Sequence, residues 1–131
     1  MAVHFDSIKI GTKWDRNQLA RLWGYKSFHA IARGVVTPAH DKKIILFVTE
    51  EKQEGLTQYA DRLCGRTLEW EGEEGHASDR RIADSAIAGD EIHIFYRKRH
   101  HAPFTYLGIG TLVSYSLIPN APSKFVFKLS Q

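Results

Sequence analysis

The sequence predicts an α+β domain dominated by strands: a small, partly closed β-barrel with short helices near one end. Runs rich in β-branched and aromatic residues recur at 44–49, 91–96, 106–115 and 124–129, the composition that suits a pleated, half-buried surface. Helical spacing is confined to short stretches. The regular strand–helix alternation that builds an open parallel sheet is missing, which favours a barrel.

In chain order, Asp15 can cap a helix over 15–23 whose apolar face is Leu19, Leu22 and Trp23, with Gly24 as its stop. Residues 25–34 mix Phe28, Ile31 and Ala32 with polar positions and read as a second short helix or an irregular link. The turn-like Thr37-Pro38-Ala39-His40-Asp41 leads into Ile44–Thr49, whose unbroken apolar character predicts a strand buried on both faces. Arg66-Thr67-Leu68 and Trp70 suggest another strand. Asp79, Ile82, Ala83, Ala86 and Ile87, closed by Gly89-Asp90, give one or two helical turns. Glu91–Tyr96 alternates as a strand with one face inward, which sets His93 toward solvent.

At 131 residues, 43% hydrophobic and 25% charged, the chain reads as a single globular domain, 1–131, able to bury a core unaided. One cysteine, Cys64, permits neither an intrachain disulfide nor a thiolate metal site. The N-terminus lacks the pattern of a signal peptide and no apolar run is long enough to span a bilayer, so a cytoplasmic protein without a membrane partner is expected. The net charge of +3 decides little. Its distribution says more: Arg97-Lys98-Arg99-His100-His101 gathers positive charge in a segment that reads as a turn, so Arg97, Lys98 and Arg99 are the candidate phosphate contacts.

Motifs for catalysis are lacking. The seven histidines form no His-Glu-x-x-His pattern, and neither a metal nor another cofactor is expected. There is no Gly-x-Ser-x-Gly elbow, P-loop or dinucleotide fingerprint. The acidic stretch Glu69-Trp70-Glu71-Gly72-Glu73-Glu74 offers carboxylates for a small hydrolase or transferase, but such a run suits a solvated loop better. What stands out is aromatic. Trp14, Trp23, Tyr25, Tyr59, Trp70 and Tyr106 sit beside polar groups, as in a pocket that stacks on a planar ligand. Trp70 is the first candidate, because Gly72 and Gly75 just beyond it would let the backbone approach a ligand; a core tryptophan closing a barrel end is the alternative.

The succession Trp14-Asp15-Arg16, Ile45-Leu46-Phe47-Val48-Thr49, Tyr59-Ala60-Asp61, Leu68-Glu69-Trp70-Glu71-Gly72, Ile92-His93-Ile94-Phe95-Tyr96-Arg97 and Pro103-Phe104-Thr105-Tyr106-Leu107-Gly108 spans nearly the whole chain. In order and spacing it resembles a bacterial domain of unknown function found at the C-terminus of DEAD/DEAH helicase-like and restriction-nuclease proteins. That domain is similar to the PUA, EVE and SRA-like group of small pseudo-barrels, several of which bind an extruded modified base. In one respect the chain departs from the pattern: Gly72-Glu73 stands where a Ser-Gln pair is common, and a glutamate can only accept where a glutamine also donates.

The resemblance implies a non-enzymatic reader of DNA carrying a flipped modified base, methylated or hydroxymethylated cytosine first. Such a reader would be the specificity module of a modification-dependent restriction system, with a nuclease or helicase fused or associated. Trp70 and Tyr59 would stack on the base, and Asp61 would accept from its exocyclic amine. Glu71, His76, Asp79 and Trp14 would complete the base-binding set, although Asp79 also suits a helix cap. The alternative function is a general RNA-, DNA- or protein-interaction module of the same fold that recognises no modified base.

Overall fold

A computed structural model describes residues 3–51, 61–72 and 76–130. Among the described residues there are eight strands: β1 (Lys13–Trp14), β2 (Val35–Val36), β3 (Lys43–Glu51), β4 (Arg62–Cys64), β5 (Thr67–Glu71), β6 (Glu91–Arg99), β7 (Phe104–Ser116) and β8 (Lys124–Leu129). They make one mixed sheet in the order β2-β3-β6-β7-β8-β5-β4, with β1 added against β7. The fold is strand-dominated as expected, and the sheet does not close on itself by a backbone ladder among the described residues. β3 and β6 are parallel neighbours, from Lys43 opposite Glu91 to Glu51 opposite Arg99, so a crossover exists without a repeating strand–helix pattern.

The helices are short. α1 (Arg16–Leu22) begins in a capping box: Asp15 accepts the Gln18 backbone N–H, and Gln18 returns a bond to the Asp15 N–H. Within 25–34 the structure makes a single 3-10 turn, Phe28–Ile31, capped by Ser27. The 79–89 pattern divides into α2 (Asp79–Ala83) and α3 (Ser85–Ala88), stopped by Gly89 in the left-handed region.

Strand alternation sorts the apolar residues into two cores. Ile45, Phe47, Phe95, Phe104 and Tyr106 face α1, the 3-10 turn and the N-terminal segment, meeting Leu19, Trp23 and Ile31. Ile44, Leu46, Val48, Ile92 and Ile94 face the concave side, meeting Leu68, Trp70, Phe125 and Phe127. β3 is therefore buried on both faces, as its sequence predicts. β6 is too, which corrects the expectation of a single inward face. His93 is buried, its ring stacked on Phe5 at 3.7 Å with Nδ1 2.7 Å from the Tyr106 hydroxyl and Nε2 3.1 Å from Glu91. The polar residue survives inside because both ring nitrogens find partners.

The sheet curls at two places along the 13-residue β7. Opposite Ile94 and Phe95 stand Gly108 and Tyr106, leaving Leu107 as an extra residue, and Gly108 takes φ +92°. A second shift leaves Val113 unpaired between Leu112 and Ser114. Such bulges bend a strand and increase its twist. At Gly110, a Cβ would lie 2.5 Å from the Ile94 Cδ1, so the Ile94 side chain fills the space a larger residue would need.

Candidate functional site

The curled sheet brings β4, at one end of the strand order, against the C-terminal part of β3 near the other. A side chain makes the link: the Leu63 N–H donates to Glu50 Oε1 at 3.1 Å. Between these elements opens a cleft of about 480 Å³ lined by Glu50, Asp61, Arg62, Leu63 and Lys98, a volume in the range of small-molecule sites.

Alternation places Glu50 on the concave face of β3, two positions beyond buried Val48. It places Tyr96 and Lys98 on the same face of β6. Lys98 Nζ lies 3.5 Å from Glu50 Oε2, and the Tyr96 hydroxyl also bonds this carboxylate. The Leu63 N–H, more than any other contact, holds the Glu50 carboxyl below its usual range, with Tyr96 and Lys98 adding to it. Burial, reinforced by the Glu50 charge, pushes the Tyr96 phenol up to about 12. Glu50 is thus an ionised carboxylate tying β3, β4 and β6 together. Asp61, buried at 6% exposure, directs Oδ1 at the Glu71 backbone N–H at 2.9 Å. That bond fixes the carboxylate's orientation at the start of β4.

The residues expected from sequence fare unequally. Asp61 lines the cleft, while Glu71 joins it only through its backbone bond to Asp61. Tyr59 lies outside the described residues, as do Glu73, Glu74 and Gly75. Trp70 is 5% exposed, with its ring 5.6 Å from that of Phe125 and 6.4 Å from that of Phe127. The indole occupies the core position where a stacking surface for a ligand was expected, because alternation in β5 turns Leu68 and Trp70 inward and Thr67, Glu69 and Glu71 outward.

His76 and Asp79 pair with each other instead, Nδ1 to Oδ2 at 2.7 Å, beside a separate hollow of about 250 Å³ that also includes Leu117, Pro119 and Ser123. Asp79 sits in the first turn of α2 and Ser78 holds the capping position, so the cap expected of Asp79 is displaced by one residue. Trp14 is in β1, half-buried against the convex core, with Nε1 donating to Thr12 Oγ1 at 2.9 Å, away from the cleft residues.

The basic cluster is not a turn. Arg97, Lys98 and Arg99 end β6, and the turn follows them. They therefore point alternately to opposite faces: Lys98 into the cleft, Arg97 to the convex side, where its guanidinium lies 4.2 Å from the Phe104 ring centroid and Nε donates to Thr49 Oγ1 at 2.8 Å. Arg99, mostly exposed, reaches Glu51 at 3.9 Å. Sequence reasoning missed Glu50 and Tyr96. Only their registers on adjoining parallel strands, with Val48 opposite Tyr96, would have signalled them.

The class of fold is SRA-like. In particular, the chain is similar to the crystal structure of the SUVH5 SRA domain in complex with fully methylated CG DNA. The TM-score is 0.60 at 13% identity, over 98% of this chain and 92% of that one. No family model matches the chain, and no curated protein matches it by sequence. Among the described residues no helix is long and apolar enough to cross a membrane.

Proposed function

We propose that the protein is a DNA-binding reader that admits a flipped modified cytosine into the cleft between β3, β4 and β6. The observation that carries this reading is the oriented Asp61 carboxylate lining a cleft of about 480 Å³ on an SRA-like fold. Cytosine presents an amino donor, and a carboxylate is the matching acceptor. A carboxylate has about four lone-pair sites and can accept from more than one donor at once. Glu50 acts as a positioning residue, holding Leu63 and Lys98 at the rim.

Tyr59, two positions before Asp61 in the sequence, is the proposed stacking ring. Stacking on one aromatic ring is worth roughly 1–3 kcal/mol per base, enough to offset the few kcal/mol of unstacking that extrusion requires. Lys98 and Arg99 supply charge toward the DNA backbone. The reading places the protein in the cytoplasm as the specificity module of a modification-dependent restriction system, with cleavage performed by a fused or associated nuclease or helicase-nuclease.

The test is a titration of matched duplexes carrying cytosine, 5-methylcytosine or 5-hydroxymethylcytosine against the wild type and Asp61→Asn. Asparagine keeps an oxygen for the Glu71 N–H, so the fold is retained while the charged acceptor is lost. The wild type should favour one modified duplex, and Asp61→Asn should lose about 1–3 kcal/mol of affinity for the flipped cytosine whatever its 5-substituent, a factor of roughly 5–150. Equal wild-type affinity for all three duplexes would instead indicate a general nucleic-acid module.

A further inference from the structure

On the convex face of the same sheet end, two arginines gather around one aromatic ring. Arg16, at the start of α1, holds its guanidinium carbon 5.0 Å from the Phe104 ring centroid and 4.8 Å from that of Phe47. Arg97 holds its own 4.2 Å from Phe104. The two cations are thus no farther apart than those two distances to Phe104 together. Both rings are nearly fully buried, and both arginines are half-buried over them.

Their hydrogen bonds go to neutral acceptors. Arg16 donates from Nε to the Ile31 carbonyl at 3.0 Å and from Nη2 to the Arg33 carbonyl at 3.3 Å. Arg97 donates from Nε to Thr49 Oγ1 and from Nη1 to the Ala102 carbonyl at 3.2 Å. Among the described residues neither has a carboxylate partner. Arg81, by contrast, is a structural clasp: it bonds the Asp41 and Lys43 carbonyls and neutralises its charge on Asp90 at 3.2 Å.

Two like charges near each other and partly removed from water repel, and an anion taken up between them would relieve that repulsion. Burial, and then the charge of Arg97, bring Arg16 down to about 10, and burial lowers Arg97 as well. Burial is the main cause of both shifts, and the charge of Arg97 adds to that of Arg16. Among the described residues two of the five N–H groups on each fork are used, and guanidinium geometry matches a tetrahedral oxyanion.

We propose that Arg16 and Arg97 form a binding site for a phosphate oxyanion. Resting on the function proposed above, its source is a backbone phosphate of the bound DNA. Arg97 and Lys98 are adjacent on β6, so the phosphate would sit across the sheet end from the cleft.

The experiment has two arms on the whole chain. In the first, the wild type is titrated with inorganic phosphate while the arginine Nε–Hε NMR signals are followed; movement of those of Arg16 and Arg97 is expected. In the second, duplex affinity is measured over a series of salt concentrations for wild type, Arg97→Gln, Arg97→Lys and Arg16→Lys, each with a thermal melt. Arg97→Gln should weaken binding about tenfold or more. It should also reduce the slope of log K against log salt by about 0.9. Arg97→Lys should restore the slope but only part of the affinity. Signals that do not move, together with an unchanged slope in a folded Arg97→Gln, would overturn the site. Should the wild type bind phosphate through both arginines but no duplex, the site stands with free phosphate as its source and the DNA reading fails. Strong duplex binding with an unchanged slope and silent arginine signals leaves the DNA reading intact and removes this site. The first arm needs no variant, so a substitution that fails to fold does not obscure the outcome.

Discussion

Replacing Trp70 with alanine separates two roles that the sequence left open. The indole is 5% exposed and packs on Phe125 and Phe127, which are themselves 1% and 0% exposed. Those rings cannot move into the vacated space without abandoning their own packing, so the cavity should persist. Truncating a buried tryptophan costs about 3–5 kcal/mol. Each kcal/mol lowers the Tm by about 3–4 °C in a chain of this length, so a thermal melt should show a drop of about 10–20 °C. Below that transition, discrimination between modified and unmodified duplexes should be retained. A fall in Tm under about 3 °C accompanied by lost discrimination would refute the core assignment and return the indole to the binding surface.

The cores and the buried histidine give two further tests. Leu46→Ala, in the middle of β3 and 0% exposed, should lose about 2–5 kcal/mol in a denaturant titration, and a loss under about 1 kcal/mol would contradict burial on both faces. His93 has its pKa lowered from 6.5, chiefly by burial, with Glu91 opposing the shift. The unfolded chain therefore takes up a proton before the folded one does, so this contribution to stability is complete above pH 6.5 and is lost as pH falls from there through the depressed folded value. Melts between pH 8 and pH 5 should show a steeper acid-side loss for wild type than for His93→Gln; equal profiles would mean that the ring titrates normally.

The sequence disclosed much of the fold because its strongest signals are local. The apolar run at 44–49 and the alternation at 124–129 became β3 and β8, and Asp15 with Gln18 set the start of α1. What escaped was decided by distant partners. His93 looks solvent-facing by alternation, yet Phe5 from the N-terminal segment and Tyr106 from β7 bury it. Arg97–Arg99 looks like a turn by composition, but pairing with Thr49 and Glu51 on β3 extends the strand through it. Trp70 followed by two glycines suggested a pocket wall, a pattern blind to which face of β5 turns inward. Asp61 was singled out for its chemistry, and it lines the cleft. Glu50 was not, because its partners Leu63, Tyr96 and Lys98 are assembled only by the curl of the sheet.

That curl explains why the cleft lies where it does. The bulges at Leu107 and Val113 bend β7 and carry β8, β5 and β4 round toward β3. Were β3 and β4 then joined by a continuous ladder of backbone bonds, the barrel would close and the space between them would be filled by paired strands. Instead the Leu63 N–H donates to the Glu50 carboxylate, and beside that bond lies the cleft. Alternation then obliges the same strand ends to present Glu50 and Lys98 inward and Thr49 and Arg97 outward. In the proposed function, a base held by the inner set and a phosphate held by the outer set would span one strand thickness, so the geometry that opens the cleft also fixes where the backbone must run.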